Sequence, residues 1–204
     1  MTKVKICGIT SVEDALIAVE AGADALGFVF FEKSPRNLDP SRAAQIIATI
    51  PPFVQAVGLF VNAPLDFVNT TAEQCGLDLV QLHGDESPDY CLSVSRRVIK
   101  VFRVKGAESL ASLTSYRVAG YLLDAWSPHL YGGTGETFDW DCVSAAKKAG
   151  PVILAGGLTP ENVASAVAHV SPYAVDVSSG VESAPGRKDH EKVRRFIREA
   201  KKVS

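Results

Sequence analysis

The chain has 204 residues, of which 47% are apolar and 22% charged, a composition typical of a globular protein with a sizeable core. This length favours a single domain over residues 1–204. The formal net charge of −2 gives no general attraction to nucleic acid or anionic membranes, so we expect neither as a partner. No apolar run is long enough to span a bilayer, and we expect a cytoplasmic protein.

The cysteines are scattered, and none of them forms a CxxC pair or a Cys/His spacing that suits zinc. A domain of this size does not need a disulfide framework. We therefore expect free thiols and predict neither a metal nor a cofactor.

Short β-branched or apolar runs recur along the chain, each followed by a segment with helical spacing. The predicted strands cover residues 4–7, 25–29, 55–60, 79–82, 97–101, 120–123, 152–155 and 174–177. Helices are predicted after the capping or first-turn pairs TS (10–11), DP (39–40), AP (63–64), SP (87–88) and TP (159–160), and after Asp139. A basic amphipathic helix is predicted over residues 189–202, and its charged face is interpreted as solvated.

Eight buried parallel strands alternating with helices predict an α/β protein of the (β/α)8 barrel type. A doubly wound open sheet is the structural alternative. Against it, the first strand is followed by CGIT (7–10) and not by a GxGxxG turn.

Reactive groups of a parallel barrel gather where its strands end, so polar and glycine residues at those points are candidate site residues. The set comprises Cys7, Arg36, Gln81, His83, Asp124, Gly156, Gly157, Asp176, Ser178, Ser179 and Gly180.

Two glycine-bearing turns follow the seventh and eighth predicted strands, at residues 156–157 and 178–180. A glycine by itself permits a tight loop and nothing more. The two turns together predict a phosphate-binding site, because barrels frequently build one at this place.

Cys7 and Asp124 each stand at the end of a predicted strand, on opposite sides of the barrel. A strand cysteine is ordinarily a small buried hydrophobe, and a carboxyl at a strand end is ordinarily a surface or capping group. A half-buried carboxyl can also stay protonated and act as an acid. The two residues are therefore candidates for an acid–base pair.

Arg36 lies in a loop after the second strand, where an arginine is either solvated or bound to a substrate carboxylate through two parallel hydrogen bonds. His83 fits a ligand-binding donor or an ordinary loop histidine equally well. The glycine-rich residues 131–135 are typical of a mobile cover over the site, or of a plain surface loop.

Ordered motifs cover nearly the whole chain, and together they resemble the phosphoribosylanthranilate isomerase family of tryptophan biosynthesis. The motifs are KICGIT (5–10), GFVF (27–30), SPR (34–36), QLHG (81–84), LLDA (122–125), GGTG (132–135) before FDW (138–140), LAGGL (154–158), DVSSGVE (176–182) and PGRKD (185–189).

The resemblance implies an Amadori rearrangement of N-(5-phosphoribosyl)anthranilate to 1-(2-carboxyphenylamino)-1-deoxyribulose 5-phosphate. It assigns the role of general base to Cys7 and that of general acid to Asp124. It also implies that Arg36 lies near the anthranilate group and that the two glycine turns bind the phosphate. It also implies that no nicotinamide or metal is needed, because the imine formed on ring opening acidifies the neighbouring C–H bond.

Two other functions stay open. The first is a related sugar-phosphate isomerase of the histidine pathway. That family is expected to have aspartate at both catalytic positions, whereas this chain has Cys7 at one of them. A catalytically silent barrel that only binds phosphorylated ligands is the second alternative, since a fold alone does not establish activity. The chain is expected to be a monomer or a homodimer, and exposed Phe30, Phe31 or Phe53 would favour the dimer.

Overall fold

The computed structural model of the chain describes residues 1–104, 107–124 and 140–202. Its strands are β1 Lys3–Cys7, β2 Ala25–Val29, β3 Gln55–Phe60, β4 Leu79–Leu82, β5 Arg97–Arg103, β6 Gly120–Asp124, β7 Val152–Ala155 and β8 Ala174–Val177. They form a closed parallel barrel in chain order, and β1 pairs with both β2 and β8. The predicted (β/α)8 barrel is confirmed, and the open sheet is wrong because none of these strands is left at an edge.

Five strand bounds agree with the sequence prediction, namely those of β2, β3, β4, β7 and β8. The largest difference is at β5, which continues two residues beyond the predicted end at Val101, to Arg103. This extension brings Arg103 to the same end of the barrel as the other strand termini.

The helices are α1 Val12–Glu20, α2 Pro40–Ile47, α3 Leu65–Cys75, α4 Pro88–Ser93, α5 Trp140–Ala149, α6 Val163–Val170 and α7 His190–Lys202. Ser11, Asp39 and Ser87 cap α1, α2 and α4, since each side chain accepts a hydrogen bond from a backbone N–H of the first turn. Asp139, predicted to precede α5, lies outside the described residues.

Two connections differ from the sequence prediction. Helix α6 begins at Val163 and not directly after Pro160, because the Thr159 N–H donates to Asn162 Oδ1 and residues 159–162 form a turn. Between β5 and β6, the described residues form two 3-10 turns, Ala107–Leu110 and Leu113–Ser115, in place of an α-helix.

A small antiparallel hairpin that the sequence did not predict follows β8. It consists of β9 Glu182–Ala184 and β10 Arg187–Lys188, with Gly186 at a φ of 77° between them. A positive φ of this size favours glycine, so the hairpin depends on Gly186.

Apolar side chains fill the barrel and the layer between the strands and the helices. Val193, Phe196, Ile197 and Ala200 of α7 are buried, which explains the amphipathic pattern of this helix. Its basic side chains form surface ion pairs with glutamates such as Glu161, consistent with a solvated face. Within the described residues, no helix has the length and apolar character needed to cross a membrane.

Of the three phenylalanines whose exposure would favour a dimer, only Phe53 is fully exposed. Phe30 is buried, because its ring stacks on Phe60 with centroids 5.1 Å apart. Phe31 is half-buried, and it lines the cavity described below. Phe53 is 94% exposed, in the connection between α2 and β3.

Candidate active site

A cavity of about 500 Å³ opens at the carboxyl ends of the strands. All eleven candidate residues from the sequence line it, together with Arg103 and Phe31. The structure therefore brings together side chains that are separated by more than 170 positions in the chain.

The alternation of side chains along a strand explains why these residues face the cavity. Inward positions lower in the barrel, such as Ile99, Leu122 and Ile153, form an apolar cluster. Further along the same strands stand Arg103, four residues beyond Ile99, and Asp124, two residues beyond Leu122, and both line the cavity. The sequence thus places an apolar floor below and polar groups at the mouth.

The Cys7 thiol is a free, buried group at the end of β1. Burial raises its pKa above the ordinary value, whereas the ammonium groups of Lys5 and Lys188 act to lower it and Asp176 acts to raise it. The net direction is upward in the ligand-free site. A base role for this thiol therefore depends on the cations beside it.

Asp124 ends β6, and its side chain is about a quarter exposed. Its Oδ2 atom lies 3.3 Å from Nε2 of His83, the residue that follows β4. The carboxyl group and the imidazole are therefore neighbours at the mouth, each within reach of a bound molecule.

The Arg36 side chain reaches the mouth of the barrel, but its guanidinium group already binds a carboxylate of the protein. Its Nε and Nη2 atoms donate to the two carboxylate oxygens of Glu182 at 2.7 and 2.6 Å. Two of the five guanidinium N–H groups are thereby used, and the others remain for a ligand. Because the two-bond geometry predicted for a substrate carboxylate is made with Glu182 here, contact with a substrate would have to use the other N–H groups.

Glu182 also binds Lys188, whose side chain is fully buried. The Lys188 Nζ atom donates to Glu182 Oε1 at 3.0 Å, to the Cys7 carbonyl at 2.6 Å and to the Ser178 carbonyl at 3.3 Å. Although burial opposes it, hydrogen bonding to Arg36 and the charge of Lys188 hold the pKa of Glu182 below its usual value. This network ties the end of β1 to the turn after β8.

Asp176 lines the cavity wall, yet it has a partner within the protein. Its Oδ1 atom accepts a hydrogen bond from Lys5 Nζ at 2.9 Å, and both side chains are at least nine-tenths buried. Any contact of Asp176 with a ligand must therefore be made alongside the Lys5 ion pair.

Gln81 presents a buried acceptor that lacks a partner. Its Oε1 atom makes no hydrogen bond in the part of the chain that the structure describes, and the residue is 1% exposed. A buried polar atom without a partner carries a free-energy cost of about 1–3 kcal/mol, which a ligand that donates a hydrogen bond can remove.

The two glycine turns touch each other. Gly156 and Gly157 have φ values of 89° and 63°, and a Cβ atom on Gly180 would collide with the Leu158 carbonyl oxygen. Glycine at these positions therefore brings the backbones after β7 and β8 into contact. Ser178 and Ser179 line the same part of the cavity.

Four charged residues of the site were not among the sequence candidates: Lys5, Arg103, Glu182 and Lys188. Arg103 was missed because β5 was predicted to end at Val101, before it. Residues 131–135, the predicted cover, lie outside the described residues.

Comparisons with known proteins agree over nearly the full chain. The model of a family described as N-(5'phosphoribosyl)anthranilate (PRA) isomerase matches residues 4–199. The N-(5'-phosphoribosyl)anthranilate isomerase of Citrifermentans bemidjiense is 72% identical, over 100% of this chain and 99% of its own.

Solved structures give the same result. A phosphoribosyl anthranilate isomerase in complex with reduced 1-(o-carboxyphenylamino)-1-deoxyribulose 5-phosphate is 43% identical, with a TM-score of 0.89 over 99% of this chain and 100% of that one. A monomeric form of the dimeric isomerase from Thermotoga maritima is 41% identical, with a TM-score of 0.87 over 99% of this chain and 100% of that one. The chain therefore belongs to the N-(5'-phosphoribosyl)anthranilate isomerase family, a family of isomerases.

Proposed function

We propose that the chain converts N-(5-phosphoribosyl)anthranilate to 1-(2-carboxyphenylamino)-1-deoxyribulose 5-phosphate, a step of tryptophan biosynthesis in the cytoplasm. One observation carries the proposal: Cys7, Asp124 and the two glycine turns line a single cavity. A base, an acid and a phosphate anchor are what this rearrangement requires.

In the proposed mechanism, Asp124 donates a proton to the furanose ring oxygen as the C1–O bond breaks and the nitrogen lone pair forms a C1=N bond. The Cys7 thiolate then takes the proton from C2, the C–H electron pair forms the C1=C2 bond of an enolamine, and the electrons of the C1=N double bond return to nitrogen. A proton is added at C1 and the C2 hydroxyl loses one. C2 becomes a ketone as C1 becomes a methylene, so atoms and electrons balance within one molecule.

The other candidate residues bind and orient the substrate. The turns at residues 156–157 and 178–180 hold the phosphate with backbone N–H groups and serine hydroxyls, as barrels commonly do after their last two strands. Gln81 accepts a hydrogen bond from a sugar hydroxyl, and His83 keeps Asp124 directed at the ring oxygen. The N–H groups of Arg36 that do not bind Glu182 face the anthranilate carboxylate.

Turnover of freshly generated phosphoribosylanthranilate by chelator-treated protein tests the proposal, followed as loss of the anthranilate-type fluorescence. Cys7→Ala and Asp124→Asn are each expected to lower kcat/KM by about a hundred-fold to ten-thousand-fold, the usual contribution of a general acid or base. Cys91→Ala and Asp89→Asn are the matched controls, since Cys91 is a buried thiol and Asp89 an exposed carboxylate, both outside the cavity. Both controls should turn over at the wild-type rate.

No turnover by the wild type would contradict the proposal and favour the silent barrel. Turnover of only the histidine-pathway aminoaldose would favour the related isomerase. Full activity of Cys7→Ala would remove the proposed base while leaving the reaction itself in place.

We further propose that the chain acts as a homodimer through the amino-terminal face of the barrel. A cavity of about 410 Å³ there is lined by the first residues of several strands, by Phe53 and by the exposed Tyr173. Large apolar groups exposed together are typical of protein interfaces. The similarity to a relative that is dimeric supports a second copy of this chain as the partner.

A further inference from the structure

Lys5 is a buried lysine that the proposed mechanism does not use. It stands two residues before Cys7 on β1, so both side chains point into the barrel. Its side chain is 5% exposed. Burying an ammonium group is costly, and it is tolerated only where partners for the charge are close by.

Asp176 supplies one of these partners. It lies directly opposite Lys5 in the register of β1 and β8, and its Oδ1 atom is 2.9 Å from Lys5 Nζ. The ammonium is thus anchored on the neighbouring strand, directly below the end of β1.

The Cys7 sulfur lies near the same ammonium, and Gly27 provides the space for both. Gly27 lies opposite Cys7 in the register of β1 and β2. A Cβ atom on Gly27 would stand 2.8 Å from Cys7 Sγ and 2.9 Å from Lys5 Nζ. Both atoms therefore lie where a larger side chain at position 27 would stand, and glycine there allows the ammonium and the sulfur to lie close together.

We propose that Lys5 is the positioning residue that favours the thiolate form of Cys7 over the thiol: its ammonium, anchored on Asp176, lies beside the sulfur in the space next to Gly27. This inference rests on the proposed function, because it explains how a buried thiol acts as the base. Lys5 itself stays protonated throughout, and the C2 proton goes to sulfur.

The charges around Cys7 are compatible with this role. Lys5 and Asp176 face it from β1 and β8, Lys188 from β10, and Arg36 from the loop after β2. Glu182 neutralises part of the charge of Lys188 and Arg36, to both of which it is bonded. Burial lowers the pKa of Lys5, but Asp176 and Cys7 outweigh it and keep the pKa above the ordinary value. Lys5 is therefore a permanent cation beside the sulfur.

The test is a pH titration of the thiolate by its ultraviolet absorbance, taken as the difference between each protein and the same protein carrying Cys7→Ala. Lys5→Gln should move the midpoint upward by about one pH unit or more, a tenfold loss of thiolate relative to thiol. It should lower kcat near neutral pH by a similar factor with little change in KM, and the pH–rate profile should move with the thiolate midpoint. Lys3→Gln is the matched control on the same strand, because Lys3 is exposed and paired with Asp24, and it should titrate as the wild type.

Lys5→Gln leaves Asp176 unpaired and can impair folding, so a second comparison is needed. The double variant Lys5→Gln/Asp176→Asn is compared with Asp176→Asn alone, and the two differ only in the Lys5 charge. A higher midpoint in the double variant supports the proposal, and equal midpoints overturn it. The titration requires no substrate, so failure of the wild type to turn over phosphoribosylanthranilate would reject the proposed function without deciding this inference.

Discussion

Among single residues, Gln81 is notable because it places a buried acceptor at the candidate site, without a hydrogen-bond partner in the described part of the chain. Its side chain is buried at the end of β4, and Oε1 has no partner among the described residues. An unpaired buried acceptor destabilises the free protein. Under the proposed function, we expect the same atom to contribute to affinity when a substrate hydroxyl donates to it, so that stability and binding oppose each other at this position.

We expect Gln81→Met to raise KM by about ten-fold, which corresponds to roughly 1.4 kcal/mol of lost binding. The melting temperature should stay the same or rise, because the variant removes an unpaired polar group and keeps the length of the side chain. Steady-state kinetics and thermal unfolding of the same preparation measure both effects. A lower melting temperature with an unchanged KM would show that Gln81 is only structural.

Among the elements, the β9–β10 hairpin has a larger role than its five strand residues suggest. It supplies Glu182 and Lys188, which hold Arg36 and the carbonyl groups of Cys7 and Ser178. Thr10 also donates to the Gly186 carbonyl in its turn. The hairpin therefore fixes the backbone at the end of β1 and in the turn after β8.

Glu182→Gln should lower the free energy of unfolding by about 3–5 kcal/mol at neutral pH, because it leaves the buried Lys188 without its charged partner. The pKa of Glu182 is lowered in the folded protein, so its contribution is present above the ordinary glutamate pKa and is lost as pH falls through the lowered value. The difference between wild type and variant should therefore shrink in acid. Urea unfolding at a series of pH values measures it.

Glu199→Gln serves as the control for this experiment, since Glu199 pairs with Lys202 on the solvated side of α7. It should change unfolding little at any pH. A Glu182→Gln protein that unfolds like the wild type at neutral pH would mean that the network does not stabilise the fold.

The sequence allowed most elements to be predicted, since strand ends are fixed by local chemistry. The run 25–29 is apolar and begins directly after Asp24, and its predicted bounds are those of β2. Ser11, Asp39 and Ser87 cap helices through contacts two or three residues away. By contrast, α6 was placed too early because Asn162 caps the turn that contains Pro160.

The residues lining the site were predictable for the same reason, whereas their partners were not. Cys7, Gln81 and Asp124 stand where strands end, which periodicity shows. Lys188 bonds to a carbonyl 181 positions away, and Glu182 to an arginine 146 positions away. Spacing in the sequence carries no signal for such pairs, so the supporting network became visible only in the folded chain.

At the scale of the whole molecule, each end of the barrel carries a cavity lined by charged and apolar residues. The carboxyl end carries the candidate site, and the amino end carries Phe53, which is 94% exposed beside the second cavity. Association through the amino end would leave the mouth open. Dimerisation should therefore affect stability and not turnover.

We expect Phe53→Ser to convert the proposed dimer to a monomer, with a lower melting temperature and an unchanged kcat. Light scattering after gel filtration measures the mass, and Leu92→Ser is the control because Leu92 is an exposed apolar residue of α4. A wild-type protein that elutes as a monomer at all concentrations would refute the assembly.

The pairing of β1 with β8 has a consequence for the order in which the enzyme is made. Lys5 leaves the ribosome early, but Asp176 follows 171 residues later. Because a domain folds as a unit, and β1 pairs with β8, the barrel cannot close until the last strand has been synthesised. The anchored ammonium beside Cys7 therefore forms only when synthesis is almost complete.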